Sequence, residues 1–377
     1  MGVRCHLPTR LAGFALCFVL GACLAKKAAF DTADTSTLVR VERHHAAMGT
    51  RFHLVMFAES VAVADAAAKA AWERVDDIEA VSTDYDPASE ARRLGERSAE
   101  WVRVSRDLAL VLRAADAAWE RTGGAFDPTV GSWSKMWRRA LRRREWPSDA
   151  AWKAATATVG WRERVQLRDG VQAGAPLLQV RVASPVRLDF GGIAKGVAVD
   201  EALGTLRAHG VTRALMDGGG DLAALEPPPG EPGWKVEVRA FGEASNGKVL
   251  RFLLTSAAIA TSGDAYQGAT LAGQPPLGVE NLSSRFGHVL DPRSLQPLPG
   301  PRAAIATAAT ATEADALATA MLVIGDTCGD PERYSSRYEG LRRGIFFAST
   351  ESDPCVGDLF PHDGARPTRP NPARTNE

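Results

Sequence analysis

Apolar residues recur at helical intervals in several stretches of the chain. Ala67, Ala71, Val75 and Ile78 follow one another three or four positions apart and stop before the turn-rich segment 82–87. Leu108, Val111, Leu112, Ala115 and Trp119 form a second stripe, ended by Gly123 and Gly124. Trp133, Met136, Trp137, Ala140 and Leu141 form a third. Its opposite face carries Lys135, Arg138, Arg139, Arg142, Arg143 and Arg144, and reads as a solvated face rather than one resting on lipid headgroups. Strand-like runs lie at 51–57, 177–182, 211–216, 235–238, 249–254 and 344–347. Helices and strands mix without a steady βαβ repeat, which predicts an α+β fold. The proline-rich stretch 226–233 must be a surface loop, and no internal repeat of 20–50 residues is visible.

The start of the chain has a different pattern. Arg4 and Arg10 precede an apolar run over 11–22, the length of a signal-peptide core and too short to span a bilayer. The run ends in Leu20-Gly21-Ala22-Cys23, which resembles a bacterial lipobox. Residues 1–22 then read as a lipoprotein signal peptide, Cys23 as the lipidated residue and 23–40 as a tether. An ordinary secretory leader is the plainer alternative. The lipobox reading implies a protein anchored by lipid in the bacterial cell envelope and facing the periplasm, and Leu24 after the cysteine favours the outer membrane. Export would remove Cys5 and Cys17, leaving Cys328 and Cys355, which can pair but cannot build a metal framework. The main domain spans 41–350. The polar, proline-rich stretch 351–377 reads as a disordered tail.

Composition narrows the partners. The 45 basic residues equal the 45 acidic ones, so no global field recruits nucleic acid. With 45% apolar residues the chain can build an ordinary core.

Four segments could carry chemistry. In Arg187-Leu188-Asp189-Phe190-Gly191-Gly192-Ile193-Ala194-Lys195-Gly196, a short strand enters a glycine turn and a helix start, an arrangement that suits phosphate. The spacing matches neither a Walker A loop nor G-x-G-x-x-G. Asp189 would be repelled by a phosphate unless it holds a hydroxyl, a base edge or a cation. Asp217-Gly218-Gly219-Gly220-Asp221 permits close backbone approach between two carboxylates, though Asp-Gly turns are common. In the segment 312–319, Asp315 and Thr319 share one helical face, as a hard cation requires. Thr312 with Asp315 also resembles a capping box, which would explain Asp315 without any metal. His288, in Arg285-Phe286-Gly287-His288-Val289-Leu290-Asp291-Pro292, is a candidate general base or a structural histidine.

The order of these segments is more specific than any one of them. Met48-Gly49-Thr50, the 82–87 segment, Gly-Gly-Ala-Phe-Asp-Pro-Thr-Val-Gly at 123–131, 188–196, 218–221, Thr261-Ser262-Gly263-Asp264, 287–292 and 312–319 succeed one another. The series resembles the FAD:protein FMN transferase (ApbE) family over roughly 41–325. The resemblance implies an α+β fold with antiparallel sheets and packed helices, related to the T-fold. It implies FAD as substrate and Mg2+ as cofactor. Met48 and Tyr85 would contact the flavin, Tyr85 by stacking its ring, and Ala125, Phe126 and Asp127 would line the cleft. Asp189, Lys195 and the main chain of Val289 would bind FAD, while Gly192, Asp315 and Thr319 would hold magnesium. A threonine or serine hydroxyl of an exported flavoprotein acceptor, an Rnf- or Nqr-type subunit or another FMN-binding domain, would take FMN and release AMP, with His288 accepting the proton. Hydrolysis of FAD to FMN and AMP, or flavin binding without catalysis, are the alternatives. Ala265-Tyr266-Gln267 and Ala309-Thr310-Ala311 depart from the family pattern, and 135–164 and 269–285 look expanded. These departures bear on acceptor binding more than on FAD.

Overall fold

The strand read at 51–57 is one arm of an antiparallel hairpin, β1 (Val39–Ala47) and β2 (Thr50–Ala58), joined through Met48 and Gly49. Both joining residues are left-handed, with φ of 52° and 72°, as a two-residue hairpin turn requires. Along β2, Phe52, Leu54 and Met56 are buried on one face and Val55 on the other, so the sheet is covered on both sides. The computed structural model describes residues 38–97, 99–172, 174–239, 249–263, 268–280, 285–300, 302–324, 345–349, 355–356 and 365–367. Cys23 and Cys328 lie outside these residues, and with them the lipidation and pairing expectations.

After the hairpin come α1 (Val61–Ser82), α2 (Glu90–Glu96), β3 (Trp101–Arg103), α3 (Arg106–Arg121), α4 (Gly131–Arg143), α5 (Asp149–Thr156), α6 (Trp161–Arg164), β4 (Val165–Gln172) and β5 (Ala175–Val182). Next are α7 (Ala194–Ala208), β6 (Arg213–Gly218), β7 (Asp221–Ala224), β8 (Trp234–Arg239), β9 (Val249–Leu254) and β10 (Ala258–Gly263). The order ends with β11 (Phe286–Asp291), β12 (Gln296–Pro299), β13 (Arg302–Ala308), α8 (Ala311–Ile324), β14 (Ile345–Ser349), β15 (Cys355–Val356) and β16 (Ala365–Pro367). The main sheet runs β1-β2-β6-β7-β10-β13-β14-β15, with smaller sheets β16-β9-β8, β3-β5-β4 and β11-β12. All these strand pairs are antiparallel, so the α+β expectation holds.

Helices α1, α7 and α8 cover one face of the main sheet. Ser60 caps α1 by accepting from the Val63 N–H at 3.2 Å, and the buried Ala64, Ala67, Ala68 and Ala71 let the helix lie close to its neighbours. On the other face, Trp234, Val236, Phe252 and Leu254 of the small sheet meet Val55, Ile259 and Ile305. A third cluster joins Trp133 and Trp137 of α4 to Trp152, Phe286 and Leu290, with edge-to-face rings 5.4–6.0 Å apart. Trp137 also donates to the Gly287 carbonyl at 2.9 Å, which ties β11 to α4. Among the described residues no helix is long and apolar enough to cross a membrane.

Candidate active site

Two turns and the end of a strand lie at the same end of the main sheet and border a cleft of about 700 Å3. That volume falls within the usual range for a small-molecule site. Met48 and Gly49 reach it from the β1–β2 turn, Gly219 from the β6–β7 turn, and Thr261 to Gly263 from the end of β10. At Gly219, φ is 78° and a Cβ would come within 2.4 Å of Thr50 Oγ1, so the position needs glycine twice over.

The 82–87 segment forms a wall of the cleft. Arg187 holds it, with its Nε donating to Asp84 Oδ2 at 3.0 Å, and Ser89 Oγ donates to the Thr83 carbonyl at 2.6 Å. This leaves Tyr85 77% exposed, a ring presented to the cleft rather than to the core. Behind it, Ala125 and Phe126 are buried in the cleft wall. Asp127 is buried too, but its carboxylate accepts from the Thr129 N–H at 2.8 Å, the Trp161 N–H at 3.0 Å and Trp119 Nε1 at 3.2 Å. Burial raises its pKa against those hydrogen bonds. Asp127 therefore spends its oxygens inside the protein and shapes the wall.

Residues 187–190 form no strand and join no sheet, in contrast to the short strand expected there. Their backbone bonds run instead to the turn before α4, Asp189 N–H to the Pro128 carbonyl at 2.7 Å and Gly131 N–H to the Arg187 carbonyl at 3.1 Å. Asp189 has a partner that local reading missed. Its Oδ2 accepts from Arg138 Nη2 and from Ser134 Oγ, each at 2.6 Å. Arg138 Nη1 also donates to the Tyr85 hydroxyl at 2.6 Å. Burial works against this guanidinium, yet the nearby Asp189, Tyr85 and Asp84 outweigh it and raise its pKa. The basic face of α4 thus divides. Lys135, Arg139, Arg142, Arg143 and Arg144 are solvent-exposed, as read, whereas Arg138 turns into the cleft.

A charged centre forms the floor. Lys195 Nζ lies 2.6 Å from Asp221 Oδ2 and 3.6 Å from Asp315 Oδ2, and both carboxylates are buried. Burial lowers the Lys195 pKa, but Asp315 and Asp221 overcome it and keep the ammonium charged. Burial pushes Asp221 up to about 7, the Asp315 charge adds to the rise and Lys195 opposes it. Asp315 is also raised, by burial. Two carboxylates facing one ammonium leave excess negative charge beside the cleft once Asp221 has lost its proton.

The capping-box reading of Asp315 does not survive. Asp315 Oδ2 accepts from the Gly196 N–H of α7 at 3.1 Å. The start of α8 is capped instead by Asp200, which accepts from the Ala311 and Thr312 N–H groups, each at 2.9 Å, and by Thr310, which accepts from the Glu313 N–H at 3.2 Å. Asp315 is therefore free of the cap and faces Lys195. One turn on, Thr319 lies against Gly192, where a Cβ would sit 2.7 Å from Thr319 Oγ1. Only glycine lets the backbone approach that hydroxyl.

Met48, Tyr85, Ala125, Phe126, Asp127, Asp189, Gly192, Lys195, His288, Val289, Asp315 and Thr319 thus all border one cleft. Arg138 and Ser134 join them in the lining, and Asp221 reaches the site through its contact with Lys195. Asp221 had a faint signal, a carboxylate closing a triple-glycine turn. Arg138 had none beyond its basic neighbours.

The raised Asp221 pKa makes a testable demand. The folded protein holds this proton up to about pH 7, while an unfolded aspartate releases it near 3.8. The contribution to stability is complete below the lower value and is lost as pH rises through the upper one. The melting temperature of wild type minus that of Asp221→Asn should therefore fall steadily across that window in metal-free buffer. A difference that stays flat contradicts the assignment.

The ApbE family model matches residues 48–330, a span that contains every cleft residue named above. The chain belongs to the ApbE family. Relatives named FAD:protein FMN transferase are similar to it in sequence. The one from Treponema pallidum is 32% identical over 231 residues, 59% of this chain and 61% of the relative. The one from Chlamydia trachomatis is 29% identical over 268 residues, 71% of this chain and 75% of the relative. The match thus spans less than two thirds of the Treponema protein. Among solved structures, the ApbE protein of Thermotoga maritima superposes with a TM-score of 0.70 at 26% identity, covering 85% of this chain and 97% of that one. The flavin transferase ApbE of Vibrio cholerae, at 21% identity and a TM-score of 0.63, covers 88% of this chain and 97% of its own and shows the shared fold.

Proposed function

We propose that this ApbE-family protein is an FAD:protein FMN transferase. The observation that carries the reading is the coincidence, in one cleft, of the family's matched span with the buried Lys195–Asp221–Asp315 centre. FAD enters with its flavin against Tyr85 and Met48 and its pyrophosphate towards Lys195. The acceptor's threonine or serine oxygen bonds to the phosphorus on the FMN side. The bond from that phosphorus to the bridging oxygen breaks, and AMP leaves with that oxygen. The hydroxyl proton passes to His288.

The cleft suits a hard cation, because the Asp315 carboxylate, the Thr319 hydroxyl and the Gly192 main chain offer only oxygen and the excess negative charge awaits a counterion. Magnesium held there supplies charge neutralisation at the pyrophosphate. Lys195 faces both carboxylates and holds them in place. Arg138 holds Tyr85 and Asp189 in position, so Arg138→Ala should weaken FAD binding about tenfold, the loss of one charge-assisted hydrogen bond. Quenching of flavin fluorescence measures it, and an unchanged dissociation constant removes Arg138 from the site.

Purified protein given FAD and magnesium should release AMP only when an acceptor is present. AMP release without acceptor identifies a pyrophosphatase instead, and none under any condition identifies a flavin carrier. The acceptor we expect is an exported FMN-bearing domain of the Rnf or Nqr kind. The lipobox reading of residues 20–23 supports an enzyme anchored through Cys23 and facing the periplasm. Cys23→Ala should move the protein from the salt-washed membrane fraction to the soluble one, and a variant that still sediments rules out lipidation.

A further inference from the structure

On the β1–β2 hairpin a second group of ligand-type side chains meets, away from the cleft residues. His44 and His53 are directly opposite each other in the antiparallel register, and Glu42 precedes His44 by two positions on the same face. The two imidazoles stack with centroids 4.5 Å apart and planes 21° from parallel. His53 Nε2 lies 2.5 Å from Glu42 Oε1. One ligand atom from each of the three residues falls within 4.8 Å of the others. Two ligands of a tetrahedral zinc ion held at about 2.1 Å stand ~3.4 Å apart, so small side-chain rotations bring these atoms to one ion. Among the described residues no other group of three His, Cys, Asp or Glu side chains meets this distance.

We propose that Glu42, His44 and His53 form a binding site for one borderline divalent transition cation, of which zinc is the type. Two imidazoles and a carboxylate select such ions over magnesium or calcium, which prefer all-oxygen sets. Glu42 keeps Oε2 on Arg40 Nη2 at 3.1 Å, which steadies the carboxylate while Oε1 faces the histidines. Asp217 neighbours His53 across the β2–β6 pair and adds negative charge to the same row. His44 and Glu42 are exposed, so an ion enters without any rearrangement of the core. Three protein ligands leave a position open for water or for a fourth ligand from another molecule. The site takes no part in the flavin reaction proposed above.

Titration of the purified full chain with zinc chloride alone tests the proposal. Wild type should bind one zinc ion that His44→Ala loses, with affinity reduced at least about 100-fold, since deleting a ligand costs no less than disturbing its support. Glu42→Gln, a milder exposed change, should weaken the same event. X-ray absorption at the zinc edge of the protein loaded with one equivalent should show two imidazole nitrogens. An all-oxygen shell would put the ion in the cleft and overturn the proposal. So would His44→Ala protein that melts like wild type and binds zinc with unchanged stoichiometry and affinity. Absence of zinc binding by wild type would likewise reduce the cluster to an exposed His–Glu pair.

Discussion

Asp315→Asn and Thr319→Val should each lower magnesium-dependent AMP release at least about 100-fold while the protein melts near the wild-type temperature. The reason lies in what each side chain does and does not support. Asp315 contributes nothing to the α8 cap, which Asp200 and Thr310 provide, so its amide analogue leaves that helix start intact. An asparagine oxygen still accepts from the Gly196 N–H. What disappears is one of the two buried negative charges beside Lys195, and with it the charge that draws a hard cation. Thr319→Val keeps shape and volume but removes the hydroxyl that faces the Gly192 backbone. FAD binding should persist in both variants, because Tyr85, Arg138 and Lys195 are untouched. In Asp315→Asn the Asp221 pKa should also drop from its value near 7, since the Asp315 charge is part of what raises it. Carboxyl 13C shifts of labelled aspartate report this directly. Normal turnover at low magnesium in either variant would exclude the metal role.

Lys195→Met is expected to have the largest effect on stability. Removing the ammonium leaves Asp221 and Asp315 buried together with no counterion. Breaking a buried ion pair from one side costs about 3–5 kcal/mol. The lower end applies here, because the Lys195 side chain keeps 23% of its exposure on the cleft side. A loss of about 3 kcal/mol should appear as a melting temperature lower by several degrees. Adding Asp221→Asn should recover much of it, because the second substitution removes the stranded charge. Added magnesium should also raise the melting point of Lys195→Met more than that of wild type, the cation replacing the lost ammonium. A single variant as stable as wild type would mean that both carboxylates are already protonated at neutral pH.

The sequence showed most clearly what depends on neighbours three or four residues apart. The stripes at 67–78, 108–119 and 133–141 became α1, α3 and α4, because an apolar helical face is a local pattern. β13 was not foreseen. Its residues Ala303 to Ala308 are buried without interruption between α8 and the small sheet, so no period of two is left to detect. Asp315 shows the opposite failure. Thr312-x-x-Asp315 imitates a cap, and the real cap reaches Ala311 from Asp200, 111 residues earlier. Arg138 could not be told from its neighbouring arginines until α4 was packed against residues 187–189. The family's ordered motifs did bring together a cleft that no single motif could have indicated.

Mass spectrometry of an exported candidate acceptor, incubated with this protein, FAD and magnesium, tests the central claim most directly. We predict that the acceptor gains the mass of one FMN on a single threonine or serine, with one AMP released per acceptor modified. The same acceptor with the Asp315→Asn protein should stay unmodified. An acceptor set that remains at its starting mass while wild-type protein turns FAD into free FMN and AMP would contradict the account.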